Sequence, residues 1–257
     1  ALITKIGYPD KWKDYTNLNL SKKNSFLENI ILCSKFDFER EIKKLYKETD
    51  PFEWGMDPQE INAYFHPLKN EIVFPAGILQ FPFFCEDMHY AYNYGAIGAV
   101  IGHELTHCFD DQGSKYDHEG NLRNWWSKDS RVKFEKKTKY FEEEYNKFKV
   151  NGKNVNGKLT LGENLADHGG VKIAFYALVE KMEEENVKES NKKDIYKKFF
   201  LSWARVWRCN IRNQEAEKRL ITDPHSPNEW RINGTLANIT EFHKVFNIKE
   251  GDELFRE

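Results

Sequence analysis

A mainly helical domain with a small β element, an α+β fold, is what this sequence predicts. Three observations carry that prediction. Apolar residues recur at near-helical spacing over several long stretches, one further stretch is apolar or small nearly all round, and strand-like patterning is confined to one short run stopped by proline. With 257 residues, 40% hydrophobic and 15% aromatic, the chain has enough apolar material to bury a substantial core.

The elements follow in order. Residues 26–48 mix apolar and charged positions at helical intervals and stop where Pro51, Gly55 and Pro58 punctuate the chain, so a helix followed by a loop is expected. Turn residues at 67–70 precede a β-like run at 71–74 that Pro75 halts. The run "YNYGAIGAVIGHELTHCF", from Tyr92 to Phe109, predicts a helix buried on most of its surface, whose few polar side chains need partners. Residues 128–149 alternate charged and aromatic positions as a helix does, and Leu161–Met182 and Ile195–Leu220 read as two more long helices. The charged stretch 180–194 reads as a solvated helix end and loop.

Composition excludes some functions. Lys+Arg 39 against Asp+Glu 41 leaves a formal charge of −2, which gives no electrostatic case for nucleic acid or an anionic membrane. No apolar run approaches the roughly 20 residues of a membrane span, and no basic-then-apolar leader opens the chain. Cys33, Cys85, Cys108 and Cys209 are too few and too scattered for a disulfide framework; they read as buried thiols, with one disulfide still open. They leave the compartment open. A start at Ala1 rather than methionine is expected of a processed product or a piece of something longer.

"VIGHELTHCFDDQG", residues 100–113, carries the chemistry. On a helix, His103 and His107 at i and i+4 share one face, so both imidazoles reach one cation, with Glu104 beside them as a carboxylate able to take a proton from water. Burying His, Glu and His on an otherwise apolar helix without compensation costs several kcal/mol, roughly, and a divalent cation removes that objection. A catalytic zinc typically takes three protein ligands and leaves a position for water. A third histidine at 113, as in metzincins, is excluded because that residue is Gly113 and residue 110 is Asp110. "LTLGENLADHGG", residues 159–170, offers Glu163 instead, with Asp167 one helical turn on and a Gly-rich turn beside them. Asp167 and Asp110 are placed to accept the free N–H of a ligating histidine. His66, His89, His118, His168 and His243 match no ligand position, and Trp125 and Trp126 read as packing residues.

Four blocks in order, "NAYFHP…EIVFPAGILQFPFF", "VIGHELTHCFDDQG", "LTLGENLADHGG" and "TDPHSPNEWRINGTL", resemble the neprilysin/endothelin-converting enzyme family of zinc endopeptidases, which includes bacterial oligopeptidases. The likeness runs from "KIGYPDKW" onward. It implies a thermolysin-like zincin catalytic domain over residues 1–257 and one Zn²⁺ held by His103, His107 and Glu163. Glu104 would be the general base, His225 the oxyanion stabiliser, and Asp110 and Asp167 the residues that orient the two histidines. Asn62 and Ala63 would clamp the peptide backbone and Arg231 would bind a substrate carbonyl. Ile78, Val100 and Trp207 would shape a pocket for a bulky hydrophobic side chain after the cut.

The likeness begins in mid-protein, so an N-terminal lobe of the same protein is an expected partner alongside peptide substrates. The end at "GDELFRE", without the cysteine-containing tail of animal members, points to the bacterial side of the family. A competing reading from another class is a non-catalytic, zinc-stabilised peptide-binding module, or an inactive fragment. Structural zinc sites are usually closed by four protein ligands and favour cysteine; Cys108, the nearest thiol, points away from the histidine face of the helix.

Overall fold

Ser25 opens the first helix, α1 (Phe26–Lys44), with a reciprocal cap: its hydroxyl accepts from the Glu28 amide at 3.2 Å while Glu28 accepts from the Ser25 amide at 2.6 Å. In this computed structural model, residues 2–256 are described, and they form two compact units. Tyr8–Asp57 is the smaller. It contains α1, none of whose residues is fully buried, and its contacts include Tyr15 stacked on Phe36 at 5.7 Å and Glu53 paired with Arg40 and Lys44.

The larger unit, residues 2–7 and 58–256, holds a three-stranded sheet in the order β1 (Ile3–Gly7), β3 (Glu71–Pro75), β2 (Tyr64–His66). β1 runs parallel to β3 with Ile3 opposite Glu71, and β2 antiparallel with Tyr64 opposite Val73. Central β3 is buried throughout, so its one charge, Glu71, is paired with Lys5 at 2.6 Å. The β-like run expected at 71–74 is this strand.

Residues 90–107 form consecutive helical turns: α2 (Tyr90–Asn93), a π turn at Tyr94–Gly98, and α3 (Ala99–His107). Downstream come α4 (Lys128–Tyr145), a hairpin of β4 (Lys149–Val150) and β5 (Lys153–Asn154), and α5 (Leu161–Glu184). Then follow α6 (Glu189–Val206), α7 (Asn213–Thr222), α8 (Asn228–Ala237) and α9 (Thr240–Phe246). The main core joins Phe175, Leu178, Phe199, Phe200, Trp203 and Phe242 from α5, α6 and α9. A second cluster packs Ile72 and Phe74 of β3 against Ile97 and Val100.

Three expectations are corrected. The helix expected from Ile195 to Leu220 is two helices, broken at residues 207–212, where the Asn228 amide takes the Trp207 carbonyl at 2.7 Å and satisfies the end of α6. Gly169 and Gly170 lie inside α5 rather than in a turn. The four cysteines are free, as first expected, but Cys33, Cys85 and Cys108 are half-buried and Cys209 is exposed. The charged stretch 180–194 spans the end of α5, a short loop and the start of α6. Among the described residues no helix is long and apolar enough to cross a membrane.

Candidate active site

Two helices bring the site together because each presents a glycine where they cross. A Cβ on Gly102 of α3 would sit 2.7 Å from the Gly170 carbonyl oxygen of α5, and one on Gly170 would sit 2.6 Å from the Ala99 carbonyl oxygen. Backbone against backbone, α3 and α5 approach closely enough for side chains one turn away to converge. α3 supplies His103, Glu104 and His107; α5 supplies Glu163 from its first turn, where a carboxylate also sits well against the helix dipole.

One ligand atom from each of His103, His107 and Glu163 lies within 4.8 Å of the others. The two Nε2 atoms are 3.0 Å apart, close to the roughly 3.3 Å separating two nitrogens that share a tetrahedral zinc at its usual bond length. Glu163 Oε2 is 3.2 Å from His103 Nε2 and 3.6 Å from His107 Nε2, yet it is buried without an aligned hydrogen bond. That orphaned oxygen and two facing imidazole nitrogens fit a metal ion.

Both imidazoles are held from behind. His103 Nδ1 donates to Asp167 Oδ1 at 2.8 Å and His107 Nδ1 to Asp110 Oδ2 at 2.7 Å, which leaves each Nε2 lone pair aimed at the common focus. Asp110 Oδ1 accepts the Gln112 and Gly113 amides at 2.8 and 2.6 Å, so the turn that ends α3 fixes this carboxylate. Burial opposes protonation of His107, but the Asp110 and Glu163 carboxylates outweigh it and push its pKa up to about 10. A divalent cation meets the same demand for positive charge with both rings neutral. Burial also favours a proton on Glu163, yet His103, His107 and His225 around it hold its carboxyl far below the usual range. Glu104, buried beside the pair, has its pKa raised, chiefly by desolvation.

His225 lies in the loop between α7 and α8, with Nε2 3.2 Å from Glu163 Oε2 and Nδ1 2.9 Å from Asp223 Oδ1. Arg231 of α8 is buried, spends Nε and Nη2 on Asp167 at 2.8 and 2.7 Å, and stacks its guanidinium on Trp207 at 3.6 Å. Asn62 is exposed just before edge strand β2 and its side-chain oxygen accepts from the Ala63 amide at 3.0 Å. Ile78 and Val100 are buried in the sheet-side cluster with Ala63, and Phe83, which packs against that cluster, meets Trp207 edge-on at 6.3 Å. His168 lies against Phe141, where burial pulls its pKa down to about 4.

Residues 62–257 match the model of Peptidase family M13. The chain belongs to that family. It is 40% identical to Neprilysin-3 of Drosophila melanogaster over 97% of its own length and 33% of that protein's. Against human endothelin-converting enzyme 1 it is 42% identical, over 99% of its length and 34% of the enzyme's. Among solved structures it matches the Mycobacterium tuberculosis zinc metalloprotease Zmp1 in complex with an inhibitor at a TM-score of 0.94 and 41% identity, covering all of this chain and 40% of that one. It matches PepO of Lactobacillus rhamnosis at 0.90 and 32%, covering all of this chain and 39% of that one. The chain therefore spans about a third of the curated M13 relatives it matches. Human endothelin-converting enzyme 1 and the mycobacterial Zmp1 match at nearly equal identity, 42% and 41%, so identity to these two favours neither the animal nor the bacterial side of the family.

M13 membership implies zinc as the ion, and the mainly helical zincin-like fold expected from the sequence is the fold of the M13 structures. Two neighbours of the site escaped the sequence reading. Asp223 stands two residues before His225, and the Asx-turn spacing is the local signal that marks it. Phe83, in "FPFF", carries no local signal, because its contact with Trp207 joins elements far apart in the chain.

Proposed function

We propose that this chain is the catalytic part of a zinc-dependent endopeptidase that hydrolyses oligopeptides before bulky hydrophobic residues. One observation carries the reading: Glu104, a buried carboxylate of raised pKa, sits on the same short helix as two imidazoles whose free nitrogens converge with Glu163. His103, His107 and Glu163 would hold one Zn²⁺ per chain. When bound, zinc supplies Lewis acidity that polarises a peptide carbonyl and lowers the pKa of water toward neutrality.

The protein's own groups handle the protons. Glu104, on the same helix as the two imidazoles, would take a proton from water and return it to the leaving amine. Asp223 accepts from His225 Nδ1, so a protonated ring presents Nε2–H to the developing oxyanion. Asp110 and Asp167 hold the ligand imidazoles in one tautomer and one orientation. Asn62 and Ala63, just before an edge strand of the sheet, suit an extended peptide paired by its backbone. Arg231 would bind a substrate carbonyl beyond the cut, and Ile78, Val100 and Trp207 would be apolar walls for the side chain after it. The greater length of the relatives supports an additional lobe as a partner in limiting access to peptides.

The test is cleavage of quenched fluorescent peptides that differ only in the residue after the scissile bond, with and without chelator. Activity should need zinc and favour Phe or Leu over Gly. Glu104→Gln should keep one zinc per chain and lose about 10²–10⁴-fold in kcat. Equal turnover by wild type and Glu104→Gln, or none by metal-loaded wild type, would sink the proposal.

A further inference from the structure

Three buried polar side chains have no part in the chemistry described so far: Thr160, Asn164 and Ser226, exposed by only 3%, 1% and 3%. They form one relay. Ser226 Oγ donates to Asn164 Oδ1 at 2.6 Å, Asn164 Nδ2 donates to Thr160 Oγ1 at 2.9 Å, and Thr160 Oγ1 donates to the Asn156 carbonyl at 3.1 Å. The donors all run in one direction, so the amide of Asn164 has a defined orientation and each of the three side chains has a partner.

The relay joins two places that matter. Asn164 directly follows Glu163 at the start of α5, and Ser226 directly follows His225 in the loop between α7 and α8. We propose that the Ser226–Asn164 hydrogen bond is a positioning device that docks the 223–227 loop on α5 and thereby sets the distance from His225 to the Glu163 focus. The inference rests on the peptidase reading for what that distance does.

The loop is stiff within itself. Pro224 and Pro227 fix two backbone angles, and Asp223 Oδ1 accepts both the His225 amide and His225 Nδ1 at 2.9 Å. Such a loop moves as a body, so the position of its imidazole depends on where the body is attached. The direct link from His225 Nε2 to Glu163 Oε2, 3.2 Å long, uses the carboxylate that would be committed to zinc and the ring nitrogen that would turn to substrate. Ser226–Asn164 uses neither group. It persists when the first link is given up, which is when the placement of His225 counts.

Thr160 and Asn164 occupy the first turn of α5, where Thr160 makes no side-chain cap to the helix amides. Its hydroxyl bonds instead to Asn156 and Asn164. The cost of leaving that cap unmade is offset by a polar contact that orients the face of α5 next to Glu163.

Ser226→Ala and His225→Ala, separately and together, test the idea. In Ser226→Ala, kcat should fall about tenfold or more, as a displaced oxyanion donor would cause, with KM within about twofold and zinc content unchanged. On the His225→Ala background, the same substitution should cost nothing further. An unchanged kcat per folded molecule, or an equal loss on both backgrounds, overturns the proposal.

A second measurement does not depend on activity. In the metal-free chain, the Trp230 and Arg231 amides, which donate to the Pro227 carbonyl of the loop at 2.7 and 3.0 Å, should exchange with solvent at least about fivefold faster in Ser226→Ala than in wild type, while α5 keeps its protection. Unchanged exchange of these two amides overturns the docking role. If wild type proves inactive, the peptidase reading fails while this measurement still decides whether Ser226 docks the loop.

Discussion

The Asp167 carboxylate accepts from His103 Nδ1 and from two nitrogens of Arg231 at once, all while almost fully buried. Burial would raise its pKa, but the Arg231 guanidinium, followed by His103, holds it below the ordinary carboxylate value. Asp110 does the matching job for His107, yet its other oxygen serves backbone amides and, among the described residues, no buried cation is paired with it. The two carboxylates should therefore fail differently. Either alanine substitution should weaken zinc binding about 10–100-fold by freeing a ligand ring. Only Asp167→Ala also strands a buried guanidinium, which costs about 3–5 kcal/mol. Zinc competition titration and urea unfolding of the metal-free protein measure the two effects, and equal losses of stability would contradict the Asp167–Arg231 dependence. At this scale His103, Glu104, His107, Glu163, Asp110 and Asp167 were legible because helical periodicity converts spacing into direction. The Asp167–Arg231 pair was not, since nothing local announces that residues 64 apart share two hydrogen bonds.

The crossing of α3 and α5 does for the site what no single ligand does. Gly102→Ala touches no candidate ligand, yet its methyl would lie 2.7 Å from the Gly170 carbonyl oxygen, which belongs to backbone and has nowhere easy to go. The helices must separate or rotate, at a cost of about 1–3 kcal/mol, and Glu163 moves away from the imidazoles as they do. Zinc affinity should fall by at least about tenfold while the helical circular dichroism is kept; unchanged affinity would show that the crossing does not set the metal geometry. Other elements were legible to differing depth. A run of small and apolar residues predicted a helix buried on most of its surface over 92–109. The helical turns end at His107, Ile101 and Phe109 are exposed, and the π turn was not legible, because hydrophobicity has no record of hydrogen-bond register. The break between α6 and α7 carries no proline or glycine and comes from tertiary contacts of Trp207. By contrast the hairpin at Asn151–Gly152, both with positive φ, had a readable Asn-Gly turn that the charged helical pattern before it obscured.

At the scale of the molecule, every candidate ligand falls in the larger unit, while Tyr8–Asp57 holds none and has a helix with no fully buried residue. Helical spacing made α1 legible, but no pattern along the chain marked the contacts that set residues 8–57 apart. A ligand that binds only the native form stabilises whatever must be folded to hold it. Zinc at about a hundredfold over its dissociation constant contributes roughly 2.7 kcal/mol, which for a unit of this size raises the melting temperature by roughly 5–10 °C. Chelation should remove that increment from residues 58–256 and leave residues 8–57 as they were. Temperature-dependent hydrogen exchange read peptide by peptide distinguishes the two: α3 and α5 should lose protection on chelation, whereas α1, capped by Ser25 and Glu28 but thinly packed, should exchange fast with or without metal. Parallel loss of protection in α1 would mean that metal binding is coupled into both units, and the division of stability argued from burial would be wrong.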